Sequence, residues 1–244
     1  MSQKTALVTG ASRGIGRAIA KRLAADGFRV LIHYVNNAEK AISLQKEIEG
    51  DGGYASLLQA DLQDLIQTEA LCAKLDRVDV LVLNASVQFR RPWHQIPMDE
   101  AIHQLNCNYL SSLRLMQAVA DTMKAAQWGR IITIGSVQQA KPHPDMLVYS
   151  ASKAALANTV RSLALQLAPF GVTVNNVAPG VIATDRNAQA LSDEVYAAQV
   201  RASIPSGFYG TPEDCTGIVS LLCSEDGRYI NGQTIYVDGG KSIQ

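Results

Sequence analysis

The chain has 244 residues, 47% hydrophobic and 18% charged, with 22 basic against 22 acidic side chains and a formal net charge of zero. A sizeable core can be buried, and a charge-balanced chain without basic tracts offers no footprint for nucleic acid. No apolar run approaches the ~18 residues of a membrane span, and the first apolar run opens at Thr5, which predicts no signal peptide and a cytoplasmic location.

In chain order, short apolar runs predict strands at TALVT (5–9), RVLIHY (29–34), YASLLQ (54–59), VDVLVLN (78–84), RIITIGS (130–136), VTVNNVA (172–178) and QTIYV (233–237). Between them, periodic or Ala-rich segments predict helices over about 14–26, 37–49, 64–75, 98–126, 148–168 and 211–224. Strands alternating with helices imply an α/β fold: a Rossmann-like, doubly wound parallel sheet of about seven strands with helices on both faces. With no linker or repeat, 1–244 reads as one domain, and the irregular stretch 185–210 as a candidate substrate lid. Cys72, Cys107, Cys215 and Cys223 show no CxxC spacing, which predicts reduced thiols and no metal site.

The first strand runs into TGASRGIG, with glycines at Gly10, Gly14 and Gly16 between a strand and a helix. Glycine permits a tight turn and close approach of backbone to a diphosphate, and the helix that follows presents free N–H groups. The second strand ends IHYVNN, with no carboxylate before Glu39 to hold a ribose 2′-hydroxyl. Ser12, Tyr34 and Asn36 are candidate donors to a 2′-phosphate instead. Further on, Tyr149 and Lys153 stand at i and i+4, so they share a helix face. An ammonium one turn away lowers the pKa of a phenol, which suits proton transfer to a carbonyl oxygen. Ser136 ends an apolar strand, where α/β sheets put ligand sites.

The chain resembles the short-chain dehydrogenase/reductase family, and most of all its 3-oxoacyl-acyl-carrier-protein reductases. The resemblance runs in register over nearly the whole chain: TGASRGIG, Asp61-Leu62, Asn84-Ala85, Asn108, Ser136, YSASK at 149–153, PGVIAT at 179–184 and the ending YVDGG. It implies an NADP(H)-dependent oxidoreductase interconverting a carbonyl and a secondary alcohol. Tyr149 is then the general acid–base, Lys153 its modulator and a ribose ligand, Ser136 the group orienting the substrate oxygen, and Asn108 the holder of a relay water. Cofactor contacts are implied for Gly10, Ser12, Arg13, Gly14, Ile15, Gly16, Tyr34, Asn36, Asp61, Leu62, Asn84, Ala85, Tyr149, Lys153, Pro179, Gly180, Ile182 and Thr184. Of these, Arg13 resembles the basic residue of NADP-preferring members, Asp61 and Leu62 match adenine contacts, and Ile182 and Thr184 match nicotinamide contacts. A homotetramer is also implied, with no nucleic-acid or membrane partner.

The chain departs from the family in places. Ser86 stands where the fourth-strand motif usually has glycine, which adds bulk near the nicotinamide ribose. Gln127 and Phe170 stand where carrier-protein docking uses basic residues, which weakens attraction for an acidic carrier. A sugar, polyol or other small-alcohol dehydrogenase is therefore the alternative. A non-catalytic NADP-binding regulator is a remote one, since a sensor needs no acid–base group. The loops FRRPWH (89–94) and QQAKPHPDM (138–146) offer Arg90, Arg91, Trp93, Gln138, Lys141 and His143 as a rim suited to a polar or anionic substrate. Phe208-Tyr209 suggests a contact with the lid or a neighbouring subunit.

Overall fold

Side chains alternate across each strand, so an apolar run buried on both sides feeds two cores at once. The computed structural model describes residues 3–244 and shows this directly. Ala6 and Val8 of the first strand enter one core, and Leu7 between them enters the other. The elements in order are β1 (Thr5–Val8), α1 (Gly14–Ala25), β2 (Arg29–Tyr34), α2 (Ala38–Gly50), β3 (Tyr54–Gln59), α3 (Leu65–Cys72) and β4 (Val80–Leu83). There follow α4 (Met98–Leu105), α5 (Ser111–Ala126), β5 (Gly129–Ile134), α6 (Leu147–Leu167), β6 (Val172–Pro179), α7 (Asp185–Leu191), α8 (Glu194–Ala202), α9 (Thr216–Cys223) and β7 (Thr234–Val237).

The seven strands form one parallel sheet in the order β3-β2-β1-β4-β5-β6-β7. Helices α1, α2 and α9 cover one face through Ile19, Leu23, Leu44 and Leu222. Helices α5 and α6 cover the other through Leu115, Met116, Leu156 and Val160. Each such aliphatic side chain, once buried, contributes about 1.5–3 kcal/mol relative to exposure. The order reverses between β1 and β4, and a crevice opens there beyond the strands' carboxyl ends.

The predicted helix over 98–126 is not continuous. A π-helical turn, Asn106–Leu110, separates α4 from α5. The predicted helix over 211–224 opens with a 3₁₀ turn, Pro212–Cys215, before α9. Within 185–210, two short helices, α7 and α8, lie across the mouth of the crevice.

Candidate active site

The glycine turn is fixed from three sides. Asn84, just past β4, donates from Nδ2 to the carbonyls of Thr9 (2.9 Å) and Gly10 (3.1 Å). Thr9 Oγ1 accepts from the backbone N–H groups of Asn84 and Ala85. On the other side His33 Nδ1 accepts from Gly10 N at 3.0 Å, so the ring proton sits on Nε2 and is donated to Ala60 O at 3.0 Å. Burial pushes the imidazole of His33 down to about 4. Gly10 has a φ of +63°, which favours glycine. A Cβ on Gly16 would lie 2.4 Å from Gly10 O and 2.5 Å from Asn84 Nδ2, so only glycine lets α1 close against the turn. Arg13, the N-cap of α1, makes no side-chain cap, so the first-turn N–H donors face the crevice without one. This cradle fits a dinucleotide diphosphate.

The crevice has a volume of about 690 Å³ and runs from this turn to α7 and α8. Every residue expected to contact cofactor lines it except Gly16, which is packed behind the turn. At the far side of the turn, Arg13 Nη1 lies 3.7 Å and Lys40 Nζ 2.8 Å from the carboxylate of Asp185, the first residue of α7. These cations hold the Asp185 carboxyl below its usual range, the Lys40 hydrogen bond having the largest effect. Lys40 carried no signal in the sequence, because its place beside Arg13 depends on how α2 packs against α1.

Tyr149 and Lys153 occupy the first two turns of α6, with 5% and 2% of their surface exposed. Ser136 caps the short turn Val137–Gln139 after β5, its Oγ accepting from Gln138 N at 3.2 Å. Tyr149, Ser136 and Arg186 line the same crevice. Burial pushes the phenol up, while the Arg186 charge and the polar side chains of Ser136 and Arg186 pull it down. Lys153 Nζ donates to Ile134 O at 2.7 Å and lies 5.7 Å from the centroid of the Tyr149 ring. Burial brings its ammonium down to about 7, with the Arg186 charge acting in the same direction. The cation whose charge acts on the phenol is thus Arg186. The i,i+4 pattern had pointed only to Lys153.

Asn108 lies in the π-helical turn and is fully buried outside the crevice lining. Its Oδ1 accepts from Val87 N, and its Nδ2 donates to Val87 O and to Ser152 Oγ. It pins the loop after β4 to α6. Of the rim residues, Arg90, Gln138 and His143 line the crevice. Arg91 instead pairs with Glu100, Lys141 donates to Gln244 O, and Trp93 is 72% exposed. Tyr209 sits 5.9 Å beneath the Arg201 guanidinium of α8, a contact with the lid. Gln127 is the left-handed C-cap of α5, and Phe170 lies 5.8 Å from Lys124 Nζ.

Arg186 is the residue that motif reading missed. It follows PGVIATD directly, and its Nη2 donates to Ser86 O at 2.7 Å and lies 3.1 Å from Ser86 Oγ. The one usable signal was at the far end of this contact, Ser86 standing where the family usually has glycine.

Comparison with known proteins agrees with this geometry. The family model described as enoyl-(acyl carrier protein) reductase matches residues 10–242. The 3-oxoacyl-[acyl-carrier-protein] reductase FabG of Staphylococcus aureus is 36% identical, over 97% of either chain. The L-rhamnose 1-dehydrogenase (NAD(P)(+)) of Azotobacter vinelandii is also 36% identical, over 97% of this chain and 96% of its own. A gluconate 5-dehydrogenase from Burkholderia cenocepacia, solved in complex with NADP and tartrate, superposes with a TM-score of 0.92 at 30% identity, covering 100% of this chain and 97% of that one. With that coverage and the all-parallel seven-stranded sheet, the chain belongs to the short-chain dehydrogenase/reductase family and is an oxidoreductase.

Proposed function

We propose that the protein interconverts a ketone and a secondary alcohol on a small polar substrate, with NADP(H) preferred over NAD(H). The observation that carries this reading is the meeting of Ser136, Tyr149 and Lys153 at one end of a crevice whose other end is the glycine cradle. When bound, the nicotinamide supplies or accepts the hydride. Reduction also needs a proton at the carbonyl oxygen, held here on Tyr149 Oη, and a second donor to orient that oxygen, which Ser136 provides. Lys153, carried by α6, places its amino group 5.7 Å from the centroid of the Tyr149 ring. Asn108 holds Val87 and Ser152 and so supports the walls of the site. The water-holding role expected for it engages none of these side-chain bonds.

Arg13 and Lys40 support the choice of NADP(H), two cations that converge on Asp185 at the crevice while β2 carries no acidic residue. Reduction of a 3-oxoacyl thioester is a second reading, supported by the carrier-protein reductases among the relatives. The polar rim of Arg90, Gln138 and His143 favours a short polar substrate over an acyl chain. The exposed apolar residues Ile102 and Leu105 on α4 and Leu165 on α6 support a homotetramer. Four free thiols agree with a cytoplasmic enzyme.

The test is turnover with NADPH and NADH against keto-sugars, short diketones and oxo-acids, and β-ketoacyl thioesters. Tyr149→Phe is expected to lower kcat at least 100-fold while NADPH still binds. Near-wild-type turnover in that variant would refute the mechanism.

A further inference from the structure

Three elements bring polar groups to the substrate side of Tyr149: the loop after β4 through Ser86, α6 through Tyr149 itself, and the first turn of α7 through Arg186. Arg186 is tied to the first and shares the crevice lining with the second. Its Nη2 is held by Ser86 O and Oγ, and its charge pulls the phenol down. Yet among the described residues no carboxylate lies within ion-pairing distance of its guanidinium. The adjacent Asp185 turns the other way, to Lys40 and Arg13. Asp61 and Asp185 are the only acidic residues described in the crevice lining, and Asp61 stands after β3, where its carboxylate accepts from Gln63 N.

A guanidinium presents five N–H donors in a planar fork, and the contacts to Ser86 engage only some of them. The phenol is also the group that meets the reacting carbonyl oxygen under the function proposed above. Arg186 lines the same crevice as that phenol, and its charge acts on it, which places the fork on the side where a substituent one or two carbons from the carbonyl would lie. In a 2-oxo or 3-oxo acid that substituent is a carboxylate, the anion whose geometry matches the fork. Anchoring at Ser86 orients the guanidinium before substrate arrives, which reduces the ordering cost of binding.

Resting on that oxidoreductase reading, we propose that Arg186 is the specificity-determining residue of this site and that the substrate is a short oxo acid, or its hydroxy acid, bound through its carboxylate. The reaction is balanced by hydride addition from the reduced nicotinamide cofactor at the carbonyl carbon and proton transfer from Tyr149 to its oxygen. The products are the hydroxy acid and the oxidised cofactor. The carboxylate also offsets the Arg186 charge that otherwise opposes protonation of Lys153.

The experiment compares 2-oxo and 3-oxo acids of three to six carbons with their uncharged methyl esters, in wild type, Arg186→Gln and Arg186→Lys. Wild type is expected to favour the acids. In Arg186→Gln the ratio of kcat/KM for acid over ester is expected to fall at least 30-fold, mostly through KM, and Arg186→Lys is expected to restore part of it. Calorimetric titration of the NADP-loaded protein with malonate is expected to show at least tenfold weaker binding in Arg186→Gln. An unchanged ratio, with acid and ester losing equally, overturns the proposal, as does a wild-type preference for the esters. In either case ester turnover that is lost in Tyr149→Phe leaves the oxidoreductase reading standing. Absence of turnover with acid, ester, keto-sugar, diketone and thioester alike overturns that reading and this one together.

Discussion

His33 makes stability below neutral pH a test of how the glycine turn is held. Its ring is fully buried, accepting from Gly10 N and donating to Ala60 O, and burial lowers its pKa from 6.5 to about 4. The unfolded chain therefore takes up a proton at pH values where the folded chain does not, and folding stability falls as pH drops from about 6.5 towards 4. The loss works out at about 2 kcal/mol by pH 5 and about 3 kcal/mol by pH 4. Glu47, Asp64 and Glu69 are held below their usual range by their partners, so they also lose stability in acid. Their stabilisation is lost only as pH falls through the carboxylate range, and it is common to both proteins compared. The assay is urea unfolding of wild type and His33→Gln, followed by tryptophan fluorescence between pH 7.5 and 4.5 at one protein concentration. The gap between them is expected to narrow by about 2 kcal/mol between pH 7.5 and 5. A gap constant to within about 0.5 kcal/mol would show that the ring is not held neutral, and the account of the turn would fail.

Replacing Arg13 by alanine removes one of the two cations that meet at Asp185. A charge-assisted contact of about 1.5–3 kcal/mol predicts a rise of roughly 10–100-fold in KM for NADPH, with KM for NADH changed by less than about threefold. Equal changes for both cofactors in steady-state kinetics would refute the assignment. Light scattering at micromolar concentration is expected to give the mass of four chains, and a monomer would refute the proposed assembly.

The seven strands were legible because each is a short run of β-branched or aliphatic residues bounded by turn residues, and the parallel order followed from the helices between them. The π-helical turn was not, because Ala101 and Leu105 before it and Met116, Val119 and Met123 after it keep the three- and four-residue apolar steps of an unbroken helix. The spacing of Tyr149 and Lys153 correctly placed both on one helix and in one cleft, but it carried no information about Ile134 O, the acceptor Lys153 finds on β5. Arg186 could not be read from local pattern, and only Ser86 hinted at it. Its contact lies across 100 residues of chain to Ser86 and depends on the segment 185–210, whose course no local periodicity specified.

The carboxylate of Asp185 lies where an anion arriving at Arg13 and Lys40 would be bound. The chain thus carries its own competitor at a fixed local concentration. Apparent affinity for a phosphorylated cofactor is its intrinsic affinity scaled by the fraction of molecules in which Asp185 has let go. Raising ionic strength screens both contestants together, so the ratio between them changes less than either alone. One peptide bond joins Asp185 to Arg186, so whatever displaces Asp185 from Arg13 and Lys40 also bears on the Arg186 guanidinium in the same crevice.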